Sequence, residues 1–150
     1  MIIPDVNVLL YAEIDAHQLH ARARRWWEEA LSSERQVGLA PVCVFGFLRL
    51  GTSRQVFTDP LSVGDAIGRV EGWLARPNVT TLVPGRAHLE TALRLLRQLG
   101  TGANLTTDVQ IAAHAIEVNG EVHSNDGDFG RFEGLRWVNP LDEGTTRGRR

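Results

Sequence analysis

Met1-Ile2-Ile3-Pro4-Asp5-Val6-Asn7-Val8-Leu9-Leu10-Tyr11-Ala12 opens the chain. An apolar start too short for a secretion signal runs into one carboxylate, then into apolar residues at helical spacing, Val6, Leu9, Leu10 and Ile14. We read this as a buried strand ending at Asp5, followed by a helix. In a sheet of parallel strands, ligands sit just beyond the carboxyl ends of the strands, which would put Asp5 at a site. The plainer reading has Asp5 capping the helix that follows. On this stretch alone the two weigh equally.

Further along, Glu121-Val122-His123-Ser124-Asn125-Asp126-Gly127-Asp128-Phe129 repeats the arrangement, with a short strand leading into polar and acidic residues at a turn. Between the two, in Asn104 to Ala113, Asp108 opens an apolar helix. Three acidic points far apart in sequence thus fall at element ends. If the sheet is parallel, the two strand ends share one edge and a helix N-terminus can point at the same place.

The remaining chain fills in that frame. Strands are expected over Gln36 to Ala40, Val79 to Val83 and Arg136 to Val138. Helices are expected from about His17 to Leu31, onward from Pro41, from about Ser62 to Ala75 and from about Gly85 to Leu99, with a short one near Phe129; Asn119-Gly120 closes the Asp108 helix. The predicted core faces are Val63, Ala66, Ile67, Val70 and Leu74 on one helix, and Ala87, Leu89, Ala92, Leu93, Leu96 and Leu99 on another. Gly64, Gly68 and Gly72 share a face at four-residue intervals. Each costs about 1 kcal/mol in a helix interior relative to Ala, so the stripe predicts close approach of another helix, within or between subunits. Strands alternating with helices give an α/β fold with a mainly parallel sheet.

Bulk properties narrow the function. A length of 150 residues suits one domain, and 43% hydrophobic with 23% charged residues is ordinary for a soluble protein. No apolar run reaches the roughly 20 residues that span a bilayer, so no membrane role is expected. A cytosolic protein is expected, with export in an assembled complex left open. Cys43, the one cysteine, lies in an apolar run and reads as a core residue. A net charge of -2 argues against coating nucleic acid through bulk charge, yet leaves room for a nuclease gripping a short stretch of RNA. All 16 Lys/Arg cations are Arg, which suits bidentate phosphate contacts.

The carboxylates carry the chemistry. Asp5, Asp108, Asp126 and possible neighbour Asp128, brought together, would repel one another and raise their own pKa values unless a cation sat among them. Hard oxygen donors without clustered Cys or His suit Mg²⁺ or Mn²⁺ better than zinc. That is an arrangement for phosphodiester hydrolysis, in which metal activates a water and stabilises developing charge. Taken singly, Asp108 beside Thr107 is an ordinary helix start and Asp126-Gly127-Asp128 an ordinary turn. A phosphoryl-transfer enzyme with Asp5 as nucleophile is a rival, but such enzymes usually bring a Lys and this chain has none. His114 in an Ala-rich helix and His123 in a strand are weaker catalytic candidates.

Together with Pro4 to Ala12, the stretches Phe47-Leu48-Arg49-Leu50-Gly51-Thr52, Thr107-Asp108-Val109-Gln110-Ile111-Ala112-Ala113, Ser124 to Phe129 and Leu135 to Pro140 resemble the PIN domain, and more narrowly the VapC ribonuclease toxins of bacterial type II toxin-antitoxin systems. The resemblance covers nearly the whole chain, in order. It implies a single PIN-like domain over residues 1–142 with strand order 3-2-1-4-5, and leaves 143–150 as a flexible polar tail. It also implies magnesium-dependent endoribonuclease activity on cellular RNA, homodimers, and inhibition by a cognate VapB-like antitoxin. Position by position, Asp5 and Asp108 match the principal metal ligands, Asp126 the acidic residue after the fourth strand, Asp128 its less constant neighbour, and Asn7 a polar residue supporting the first Asp.

One departure stands out. Many family members place a Glu on the helix after the second strand, where this chain has Gly46 in Val44-Phe45-Gly46-Phe47. The site would then have one carboxylate fewer, weaker metal binding, or Asp128 as substitute. The same departure leaves open a degenerate PIN domain that binds RNA or a partner without cleavage. Arg49 and Arg54, near the predicted rim, are the candidates for RNA phosphate contacts, although solvent-exposed helix Arg is the commoner case.

Overall fold

Three-residue strands build the sheet, apolar at its centre and mixed toward its edges. The computed structural model describes residues 1–142, so the expected tail of residues 143–150 lies outside the described residues. β1 (Ile2–Pro4), β2 (Val37–Leu39), β3 (Val79–Thr81), β4 (Glu121–His123) and β5 (Arg136–Val138) pair in the order β3-β2-β1-β4-β5. Every pairing is parallel. This is the fold and strand order expected from the resemblance. Strands buried on both faces read as short apolar runs, and Ile2, Ile3, Val37, Leu39 and Val122 are all buried. Pro4 lacks an N–H to donate and closes its strand. The ladder continues one residue further, through the Asp5 N–H donating to the His123 carbonyl at 3.0 Å.

The connections are helical: α1 (Val6–Glu13), α2 (His20–Ser32), α3 (Pro41–Gly51), α4 (Val63–Leu74), α5 (Arg86–Leu99) and α6 (Leu105–Glu117), with a 3₁₀ turn at Gly127–Arg131. Their ends follow local chemistry. Pro41 occupies the first turn of α3, where its missing N–H costs nothing. The Ser62 hydroxyl accepts from the Asp65 N–H at 3.0 Å to cap α4. Gly100, at φ 69°, ends α5 in the left-handed region. After α6 it is Asn119, at φ 49°, that takes this conformation rather than Gly120.

Two helices face differently from the apolar pattern. On α4 the buried residues are Ala66, Val70 and Trp73, while Val63, Ile67 and Leu74 are exposed. The indole decides the rotation. Trp73 packs edge-on against Trp27, centroids 5.5 Å apart, and 4.8 Å from Phe47, joining α2, α3 and α4; its Nε1 donates to Glu13 Oε1 at 3.1 Å. On α5 the inward residues are His88, Ala92 and Leu95, and Leu89 and Leu93 are exposed. There a histidine takes a core position that hydrophobicity would give to leucine. Among the described residues no helix approaches the glycine stripe of α4 closely, since a Cβ at Gly68 or Gly72 would find nothing within 4 Å. Cys43 is buried, as expected. Among the described residues no helix is long and apolar enough to cross a membrane.

Candidate metal centre

At the carboxyl ends of β1 and β4 the chain turns into polar residues, and their side chains interlock. Asp5 both caps α1 and lines the cleft beyond the strand ends, so the geometry of both readings of the opening stretch is present at once. Its Oδ1 accepts from the Val6 N–H at 2.7 Å, and its Oδ2 from the Ser124 hydroxyl at 2.7 Å. Ser124, fully buried, also accepts from the Asp126 N–H at 2.9 Å and from Asn7 Nδ2 at 3.1 Å. Asn7 Oδ1 in turn accepts from the Asn125 N–H at 3.3 Å. A continuous polar frame therefore ties the end of β1 to the end of β4 and fixes where Asp5 and Asp126 stand.

The third contribution comes from α6. Asp108 lies in its first turn, and oxygens of Asp108, Asp126 and Asp128 come within 4.8 Å of one another. Asp126 also caps the 3₁₀ turn, accepting from the Asp128 N–H at 2.9 Å. Asp5 stands beside this trio rather than within it, sharing a cleft of about 430 Å³ with Asp108. The electrostatics match a gathering of like charges. Partial burial, then Asp5, Asp126 and Asp128, push the Asp108 carboxyl up to about 6. Burial raises Asp5 too, against the lowering effect of its two hydrogen bonds, with Asp126 adding to the rise. Three acidic groups within reach, one strained toward protonation, form a donor set that fits a hard divalent cation. Asp5 can join it, because each carboxylate oxygen has a second lone pair beyond the hydrogen bond it accepts.

The other expected residues divide. Arg49 lines the cleft, together with Val6, Asn7 and Gly46. Arg54 is exposed on the turn after α3, outside the cleft lining. His114 and His123 take no part. His123 accepts from Trp26 Nε1 at 3.2 Å through Nδ1, which leaves its Nε2 to donate to Glu121 Oε1 at 2.8 Å; that bond and Arg35 hold Glu121 down to about 2.

Three residues were not singled out from the sequence. Ser124 carries the frame, but a hydroxyl before an acidic turn looks like any turn residue. Tyr11 is raised by burial and then by Asp5 and Asp126, and its phenol hydrogen-bonds Asn125. Phe45 lines the cleft although exposed, and within an apolar run nothing in the sequence sets it apart from its core neighbours.

Comparison with known proteins gives a consistent picture. The PIN domain family model matches residues 2–135. The ribonuclease VapC33 of Mycobacterium tuberculosis is 50% identical over 143 residues, covering 95% of this chain and 100% of its own. Among solved structures, M. tuberculosis VapC20, described as a sarcin-ricin loop cleaving toxin, superposes with a TM-score of 0.68 at 17% identity, over 91% of this chain and 99% of its own. VapBC2 of Rickettsia felis, solved on a DNA fragment from its promoter, gives a TM-score of 0.67 at 17% identity, over 92% and 98%. At such identities the two structures speak for the fold alone.

Proposed function

The chain belongs to the PIN domain family, among the VapC ribonucleases, and from that premise we propose that it is a toxin whose cleavage of cellular RNA depends on Mg²⁺, with Mn²⁺ as a substitute. The observation that carries the metal dependence is the convergence of Asp108, Asp126 and Asp128 beside the buried Asp5. A divalent cation bound there would lower the pKa of a coordinated water and neutralise charge building on the phosphate. The chain's own residues supply the rest. Asp5, Asp108 and Asp126 are the catalytic carboxylates, and Asp128 completes the ligand set. Asn7 and Ser124 hold Asp5 in place. Arg49 and Arg54 contact RNA phosphate, Arg49 from within the cleft.

By analogy with VapBC2, the partner is a VapB-like antitoxin; a homodimer working in the cytoplasm is the part of this reading that rests on the family resemblance alone. The test is cleavage of total cellular RNA by purified protein freed of antitoxin, in Mg²⁺, in Mn²⁺ and in EDTA, alongside Asp5→Asn. Discrete fragments that require metal are expected. Asp5→Asn should slow their formation by more than about 100-fold, because loss of even a supporting group costs 10–100-fold at metal sites. Intact RNA under every condition would transfer the assignment to a binding module without cleavage, the reading favoured by Gly46.

A further inference from the structure

α5 and α6 meet through two buried histidines, His88 and His114, whose rings lie 4.0 Å apart at 34°. Glu117 follows His114 by three residues and so shares its face of α6. Its Oε2 lies 3.4 Å from Nδ1 of His88 and 4.0 Å from Nδ1 of His114. One donor atom from each of the three falls within 4.8 Å of the others. His88 Nδ1 is buried and has no hydrogen-bond partner among the described residues, for its approach to the carboxylate lacks hydrogen-bond geometry. An unsatisfied buried polar group costs about 1–3 kcal/mol. Nothing in the nuclease reading uses these residues.

We propose that His88, His114 and Glu117 form a second metal site, selective for zinc over magnesium, that pins α5 to α6. Two imidazoles and one carboxylate suit zinc, while Mg²⁺ prefers oxygen alone. Bonds of about 2.0–2.1 Å in a tetrahedron place neighbouring donors roughly 3.3–3.4 Å apart. The His88–Glu117 pair stands at 3.4 Å already. The His114–Glu117 pair, at 4.0 Å, closes by rotation of the two side chains. Burial beside His88 lowers His114 to about 4, leaving its ring neutral and its lone pair available at neutral pH. The Glu117 side chain is 26% exposed, which gives the ion a way in and a water the fourth position.

The test uses the untagged full-length chain after dialysis against EDTA. Titration calorimetry with Zn²⁺ should give one ion per chain in a large excess of Mg²⁺, and Co²⁺ should produce the visible absorption of a tetrahedral site. His114→Gln and Glu117→Gln should each weaken zinc by more than about 10-fold and abolish the Co²⁺ spectrum. The double variant Asp108→Asn, Asp126→Asn should leave both intact. Circular dichroism checks folding. Should a histidine variant unfold, Glu117→Gln at its open position decides. Absence of zinc binding in the parent chain would overturn the site, as would zinc that Glu117→Gln retains or the aspartate variant loses.

Discussion

A Cβ at Gly46 would come within 2.7 Å of Cγ2 of Val6, well inside contact distance. α1 and α3 pack together here, and the valine methyl occupies the space a larger residue would need. Glycine at this position is therefore a packing requirement of this chain. Putting a glutamate there should be costly alone and tolerated once Val6 is trimmed, since Cβ of Val6 lies at an ordinary 3.8 Å. We expect Gly46→Glu to lower stability by about 1–3 kcal/mol through overpacking, and Val6→Ala, Gly46→Glu to recover most of that loss. The double variant, adding a fifth carboxylate beside Asp5, Asp108, Asp126 and Asp128, should bind Mn²⁺ more tightly than the parent. Thermal melts and Mn²⁺ titration check both. If the single change were neutral, Val6 would not be what excludes the side chain. The acidic residues were legible in the sequence because each falls where a strand stops or a helix starts. Ser124 and Tyr11 were not, because their roles arise from partners distant in the chain, such as the bond between Ser124 and Asn7 across 117 positions.

Elements were legible where hydrophobic runs and caps agree, as at β1, Pro41 and Ser62. Helix orientation was less so. Apolar periodicity gives a stripe its width but not its centre, and in α4 the large indole of Trp73 captured the core while Leu74, its neighbour, was left outside. In α5 the inward side is set by the tilted packing of His88 against His114, a contact that hydrophobicity scores as a loss. The glycines of α4 remain the element's weakest feature. With nothing within 4 Å of a Cβ added at Gly68, Gly68→Ala should stabilise the helix by about 0.5–1 kcal/mol through backbone entropy, raising Tm by roughly 2–4 °C per kcal/mol for a chain of this size. A fall in Tm, or a change in oligomer size by light scattering, would mean instead that a helix of another subunit rests on the stripe.

At the scale of the molecule, parallel topology itself gathers the charge. It brings the ends of β1 and β4 to one edge and aims the first turn of α6 at them, so four carboxylates converge in a protein of formal charge only -2. That convergence has a sign in stability. Asp108 titrates at about 6 in the fold against 3.8 for the unperturbed group. Between about pH 4 and 6 the folded chain therefore holds more protons than the unfolded one, so metal-free stability falls as pH rises through this window and levels off above it. Asp5, raised as well, acts in the same direction. Because Asp108 is only half-buried, solvent screening keeps its share to about 1 kcal/mol. A divalent cation competes with those protons for the same oxygens. Mn²⁺ should therefore raise Tm at about pH 7.5, where the carboxylates are charged and repelling, and have little effect near pH 5. Asp108→Asn should flatten the apo slope and blunt the metal response together. Calorimetric melts across pH 4.5 to 8, in EDTA and in Mn²⁺, separate the possibilities. An unchanged slope in Asp108→Asn would locate the acid sensitivity elsewhere, and a metal response that survived the substitution would remove Asp108 from the ligand set.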